Sequence, residues 1–420
     1  MAQIQLGYGK DSLSLKFDET RFQVLSGNSL EESPLSDFKI GEALSNPIGS
    51  PPIDDLFSSS DSVLIVVSDA TRATASAQII NLLVRRLIQA GVSPAEIAII
   101  FATGIHRRVS AEEKIELLTP FIAQRIRILD HDANDSSAML SLGTTQSGTP
   151  VEVNRALRDY SGVIITGAIG FHYFAGFTGG RKSICPGLAS AKTIEATHML
   201  ALDFETGGRR AGVNTALLQG NAVHEECERI AAMIQPGLGV YAVVDERGRA
   251  VGVYAGDWRV AHETGCREYH AGHSMQIDAK REVTIVSCGG SPYDVNMIQA
   301  HKALDMAAHA CLKGGDIILL AECPDGLGRS DFLKWFDAKD SQELARRLCK
   351  DYEVNGQTAW ALLSKAERYQ IQLVSRLPEE KVHRMRMRPA RSLNEAVESL
   401  RGGANGYIMP RGAAVLPEVN

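Results

Sequence analysis

The sequence predicts an α/β fold of two domains, each with a mostly parallel sheet flanked by helices, and an active site in the interdomain crevice. Three observations predict it. The runs "SVLIVVSD" (62–69), "EIAIIFATG" (96–104) and "SGVIITGAIG" (161–170) are short, apolar and unalternating, as strands buried on both faces are. Between the first two lies "ASAQIINLLVRRLIQAGV", whose apolar residues recur at helical spacing and stop at Gly91, a C′ glycine. That makes a βαβ unit and hence a parallel sheet. The rhythm then restarts near residue 279, so there are two such series.

The elements follow in chain order. "IQLGYGKDSLSLKFD" reads as a β-hairpin around a Gly-Lys-Asp turn, and 25–60, rich in Ser, Pro, Asp and Gly, as an irregular connection. After the three early strands, "EVTIVSCGG" is a strand, "MIQAHKALDMAAHACLKGG" a helix, and "DIILLAECPDG" and "YQIQLVSRL" are further strands. The closing "GYIMPRGAAVLPEVN" places a Pro-Arg-Gly turn between two short apolar runs and returns to pair elsewhere. The expected boundaries are 1–278 for a cofactor-binding and catalytic domain, completed by the tail 403–420, and 279–402 for a second α/β domain.

Composition excludes several classes. The 420 residues suit two or three domains. Hydrophobic residues at 44% and charged residues at 22% are ordinary for a globular chain. A net charge of −6 gives no reason to expect nucleic acid or an anionic membrane as partner. No apolar run approaches the roughly 20 residues that span a bilayer, and the N-terminus has no signal-peptide core. Seven cysteines without a CxxC pair argue against a disulfide framework and a zinc ribbon, so the expected address is cytoplasmic.

Ligands of open α/β sheets bind beyond the carboxyl ends of the strands. Three groups sit there: "DATR" (69–72), His106 at the end of "ATGIH", and His172 after "GAIGF". Each has a plain structural reading, Asp69 as a helix N-cap and a loop histidine as a structural residue. Their convergence on one edge is the signal. Ser110 and Glu113 form a capping box, so a helix starts just after His106. The segment "FHYFAGFTGGRKSICPGL" (171–188) offers backbone amides for a phosphate, yet no complete phosphate-loop or dinucleotide fingerprint stands here, and Ser183 alone does not establish magnesium. Lys182 suits a phosphate contact or an amine of lowered pKa for covalent chemistry. From the residues alone, the reading is a two-base enzyme acting on a small anion, with Arg72 as carboxylate clamp.

On "YGK" (8–10), "DATR", "ATGIH", "H..AGF.GGRK..CPG" from 172, His198 and "QAHK" (299–302), the chain resembles the nickel-pincer lactate racemase family over nearly its whole length. The resemblance implies a 2-hydroxyacid racemase or epimerase that passes the C2 hydride to and from a nickel-pincer nucleotide. That group is a pyridinium-3-thioamide-5-thiocarboxylate mononucleotide, linked covalently to Lys182 and made by dedicated cofactor-synthesis enzymes. His198 would ligate the nickel, and His106 and His172 would be the catalytic acid/bases. Asp69, Thr71, Gly179 and Gly180 would border the cofactor. Arg72, Gln299, Lys302 and Ile298 would contact substrate. Cys185 reads as packing rather than as a second ligand. The chain departs from the lactate-specific pattern at Ile298, Ala73 and Phe171, and Trp360 is out of register with the family's site tryptophan, so the small-molecule partner is a 2-hydroxy acid not confined to lactate. The rival readings are a nicotinamide-dependent hydroxyacid dehydrogenase and a non-catalytic nickel or cofactor carrier.

Overall fold

A computed structural model of the chain describes residues 1–27, 33–203 and 205–419. The chain divides into two compact units, Met1–Leu30 with Leu202–Arg210 and Gly272–Asn420, and Glu31–Ala201 with Ala211–Ala271. Each has one six-stranded sheet.

In the Glu31–Ala201 unit the strand order is Ala250–Gly256, Leu238–Val244, Gly162–Ala168, Val63–Ser68, Ile97–Ala102, Arg127–Leu129. All neighbours are parallel except the antiparallel edge pair of Leu238–Val244 and Ala250–Gly256. The three runs expected as strands are the three central ones. Val63, Ile65, Ile97 and Ile99 are fully buried, which is why these sequences do not alternate. The Ser76–Gln89 helix packs Ile79, Ile80, Leu83 and Leu87 on that sheet. Gly91, with φ +99, ends the helix as expected, and the Val92 amide reaches back to the Leu87 carbonyl.

The Met1–Leu30 unit carries a sheet ordered Arg388–Ala390, Gln370–Val374, Cys311–Leu320, Arg281–Ser287, Gly406–Met409, Phe22–Val24, parallel throughout. The expected boundaries shift here. The tail does not complete the first domain: Gly406–Met409 sits between Arg281–Ser287 and Phe22–Val24, with Tyr407, Ile408 and Met409 fully buried. The N-terminal hairpin, Ala2–Tyr8 with Asp11–Phe17, is formed as expected, but it adds Leu6, Leu15 and Phe17 to the core built on Ile285 and Ile318. The sheet gets its last two strands from opposite ends of the chain.

The stretch 25–60 is also less irregular than its composition suggests. It holds the helices Asp37–Ser45 and Ile53–Leu56, which bury Ile40, Leu44 and Ile53. Residues 28–32 of that stretch lie outside the described residues. No described helix is long and apolar enough to cross a membrane.

Candidate active site

The chain enters the Glu31–Ala201 unit's sheet at its centre, on Val63–Ser68, and builds outward through Ile97–Ala102 and Arg127–Leu129. It then returns to Gly162–Ala168 on the other flank of the first strand. The strand order therefore reverses between Val63–Ser68 and Gly162–Ala168, and loops leaving the carboxyl ends there diverge to leave a crevice. Asp69 leaves one of these two strands and the His172 loop leaves the other; His106 follows the neighbouring Ile97–Ala102 strand.

Asp69 is 4% exposed and accepts from three donors. One oxygen takes the Thr71 amide at 2.9 Å and the Thr71 hydroxyl at 2.6 Å. The other faces His106 Nδ1 at 2.7 Å. Burial pushes this carboxyl up, but the His106 bond, the His106 charge and Arg72 outweigh it and leave it at about 2. Asp69 is therefore no helix N-cap, since the next helix starts at Ser76. Asp69 and Thr71 form a turn that aims a carboxylate at His106. That histidine turns Nδ1 to the carboxylate, which accepts its N–H. The capping box of Ser110 and Glu113 is present and starts the following helix, Ala111–Arg125.

His172 lies in a two-residue strand paired with Gly176–Phe177. Its Nδ1 accepts the Ala175 amide at 3.2 Å, and its ring stacks on Tyr173 and meets Phe174 edge-on at 4.5 Å. Phe174 is the hub that sequence reasoning missed. Its ring also lies 5.2 Å from the His198 ring and 5.5 Å from Lys182 Nζ. The run of rings in "FHYF" (171–174) is the signal that the sequence holds for it.

Lys182 sits in a short 3-10 turn, Gly180–Ser183. Burial first, and then the Arg181 and Arg72 charges, push its amine down to about 7, so a large fraction is neutral at neutral pH. Arg181 is itself buried, with Nη2 donating to the Ala175 carbonyl at 2.6 Å. Gly179 and Gly180 have φ of +74 and +58. A Cβ on Gly180 would stand 2.6 Å from the His262 ring, so fold geometry already accounts for glycine there. The Ser183 hydroxyl donates to the Thr166 carbonyl at 2.8 Å.

His198 ends the Ala191–Met199 helix. Its Nδ1–H donates to the Ile194 carbonyl at 2.8 Å, and burial and the Lys182 charge push the ring down to about 3. The imidazole is thus neutral with its lone pair on Nε2, the form that binds a metal. Among the described residues no three His, Cys, Asp or Glu side chains gather to hold an ion. Cys185 and Cys227 are buried and hydrogen-bonded to each other, the bond holding the Cys185 thiol up and the Cys227 thiol down. Cys185 also lies 3.7 Å from the Thr197 hydroxyl, a packing and hydrogen-bonding role as expected.

Of the expected substrate contacts, Arg72 belongs to this cluster and its charge reaches both Asp69 and Lys182. Ile298, Gln299 and Lys302 lie in the other unit, half-buried in the first turns of the Met297–Ala310 helix, where Lys302 Nζ donates to Gln299 Oε1 at 2.6 Å.

The comparisons with known proteins give the class, an isomerase of the racemase type. Residues 8–207 match the lactate racemase N-terminal domain and residues 277–416 the lactate racemase C-terminal domain. Lactate racemase of Lactiplantibacillus plantarum is 32% identical over 339 residues, 79% of this chain and 77% of its own. That of Thermoanaerobacterium thermosaccharolyticum is 29% identical over 99% of both chains. The solved lactate racemase apoprotein from the latter organism superposes with a TM-score of 0.89 at 28% identity, covering 99% of this chain and 100% of that one. A Thermotoga maritima structure with TM-score 0.70 and 19% identity shares the fold. The chain belongs to the lactate racemase family.

Proposed function

We propose that the protein inverts C2 of a 2-hydroxy acid, lactate or a larger relative, by removing and returning the C2 hydride on a nickel-pincer nucleotide held by Lys182 and His198. The observation that carries this reading is the pairing of an amine pushed down to about 7 with a neutral histidine whose Nδ1 is already committed to Ile194. The first suits a covalent link, the second a single protein ligand to a soft-ligated nickel. Both flank the Phe174 ring, a flat apolar wall against which a pyridinium can lie. Bound there, such a group supplies reversible acceptance of hydride from C2.

The protein's own residues do the rest. Arg72 takes the substrate carboxylate through a charge-assisted bond. His106, oriented by Asp69, and His172 handle the hydroxyl. Lys302, paired with Gln299, is a further substrate-orienting cation on the strength of the resemblance, and Ile298 in place of an aromatic residue widens the range of acids accepted. The partners in this reading are the small acid and the cofactor-synthesis enzymes, in the cytoplasm.

Intact-protein mass spectrometry with metal analysis tests the cofactor reading, on protein made with and without the cofactor-synthesis enzymes. An added mass that maps to Lys182, with about one nickel per chain as a single His-anchored pincer site requires, is expected only with them. Lys182→Ala abolishes the added mass. Neither mass nor nickel under both conditions overturns the reading.

A further inference from the structure

The Phe174 ring lies against both the Lys182 amine and the His198 ring, so whatever fixes its turn also fixes the width of the seat between them. Three successive carbonyls of that turn accept from donors outside it. Phe174 takes Asn221 Nδ2 at 3.0 Å, Ala175 takes Arg181 Nη2 at 2.6 Å, and Gly176 takes the Ala216 amide at 3.1 Å. Arg181 adjoins Lys182, so its bond belongs to the seat itself. The other two come from the stretch 211–221, which leads into the Ala222–Ile234 helix.

Asn221 is fully buried and has two tasks. Its Oδ1 caps the helix, accepting the Val223 amide at 3.1 Å and the His224 amide at 3.3 Å. Those two donors settle which end of the side-chain amide is oxygen. Nδ2 therefore points at the carbonyls of Phe174 and Leu217, each at 3.0 Å, with that of Asn214 at 3.4 Å. A cap needs only the oxygen, and Ser, Thr or Asp supplies one. Among these good caps, only asparagine adds N–H donors. The loop also fits closely: a Cβ on Gly176 would stand 2.2 Å from the Leu217 carbonyl oxygen. The same helix packs on the Gly180–Ser183 turn, and its Cys227 is hydrogen-bonded to Cys185 just beyond Lys182. One helix thus holds both walls of the seat, Phe174 from its cap and the lysine turn from its side.

We propose that Asn221 is a positioning residue for the cofactor seat: its side-chain amide, by donating to the Phe174 carbonyl, sets where the Phe174 ring stands against Lys182 and His198. This rests on the racemase reading above and deepens it. Asn221 acts through Phe174 and not on the reacting atoms, so its loss moves a wall while leaving Lys182, His198 and the Arg72 clamp chemically intact.

Two variants separate this role from helix capping. Asn221→Asp keeps the stem and the cap but replaces the donors with a second acceptor, and Asn221→Ser keeps a capping oxygen without any N–H. In NMR of cofactor-free protein, the His198 ring protons, assigned through His198→Gln, carry the ring-current shift of Phe174, which Phe174→Leu removes. Both Asn221 variants should move those signals towards their Phe174→Leu positions while the circular dichroism of the helices stays unchanged. Signals left at their original positions in the folded variants overturn the proposal. On cofactor-loaded protein, Asn221→Ser should lower kcat by about 10- to 100-fold, the effect of a misplacement of about an ångström. It should also lose nickel to a chelator faster, with KM for the acid little changed. Unchanged kcat and nickel release would equally overturn the role. An unsubstituted chain that takes up no cofactor refutes the functional reading, and the NMR arm still decides by itself whether Asn221 sets the Phe174 ring.

Discussion

Asp69 shows what a single buried side chain does for the site. Its carboxylate sets the His106 tautomer, so Asp69→Asn puts an amide where an acceptor is needed and turns the ring or its proton around. The expected loss in kcat is about 10²–10⁴, with a smaller effect on KM, measured on cofactor-loaded enzyme. Its stability contribution has a definite sign. The folded-state value of about 2 lies below the ordinary 3.8, so Asp69 contributes in full above 3.8 and loses that contribution as pH falls towards 2. Acid unfolding of Asp69→Asn should accordingly be shallower over that window than that of the unsubstituted protein. Most of the named site residues were legible in the sequence, because a loop histidine or lysine directly after a buried strand has few places to go. Phe174 and Cys227 were not. An aromatic in a turn and a cysteine on a distant helix become site neighbours only through tertiary packing. Asp69 and His106 were each legible as site residues, but their pairing was not, since 37 positions separate them.

Among the elements, the short turn Gly180–Ser183 is the most constrained. Gly180 has a positive φ and the His262 ring against it, so Gly180→Ala should destabilise the protein by about 1–3 kcal/mol in denaturant titration. A neutral result would mean the turn relaxes freely, and the placement of Lys182 would then need another cause. In the other unit, the Met297–Ala310 helix presents buried Asp305 to Lys365 and, at 3.4 Å, to Arg209 of the short strand Gly208–Arg209. Those two cations hold the carboxyl well below its usual range despite burial. Asp305→Asn leaves Lys365 buried without a counter-charge and should cost about 3–5 kcal/mol. Six strands and the Ser76–Gln89 and Met297–Ala310 helices could be read from apolar runs and helical spacing. The edge strands could not: Phe22–Val24 and Arg388–Ala390 are three residues long, and nothing local distinguishes such a piece from a loop.

At the scale of the whole molecule, the sequence predicted two α/β bodies correctly and misjudged what belongs to each. Parallel sheets recruit strands from far apart in the chain, so the Met1–Leu30 unit takes its edge from the N-terminus and a central strand from the tail. No local pattern records which sheet a strand will join. The account's central claim is that this chain inverts a 2-hydroxy acid through a Lys182-anchored cofactor. The most direct measurement is a chiral assay of protein co-produced with the cofactor-synthesis enzymes, starting from single enantiomers of lactate and of larger 2-hydroxy acids, with Lys182→Ala alongside. The account predicts that at least one acid is carried to an equal mixture from either enantiomer, and that Lys182→Ala does not do so. Activity confined to lactate would remove the widened-pocket reading of Ile298. No inversion of any acid by protein that carries the nickel and the added mass, or undiminished inversion by Lys182→Ala, would contradict the claim.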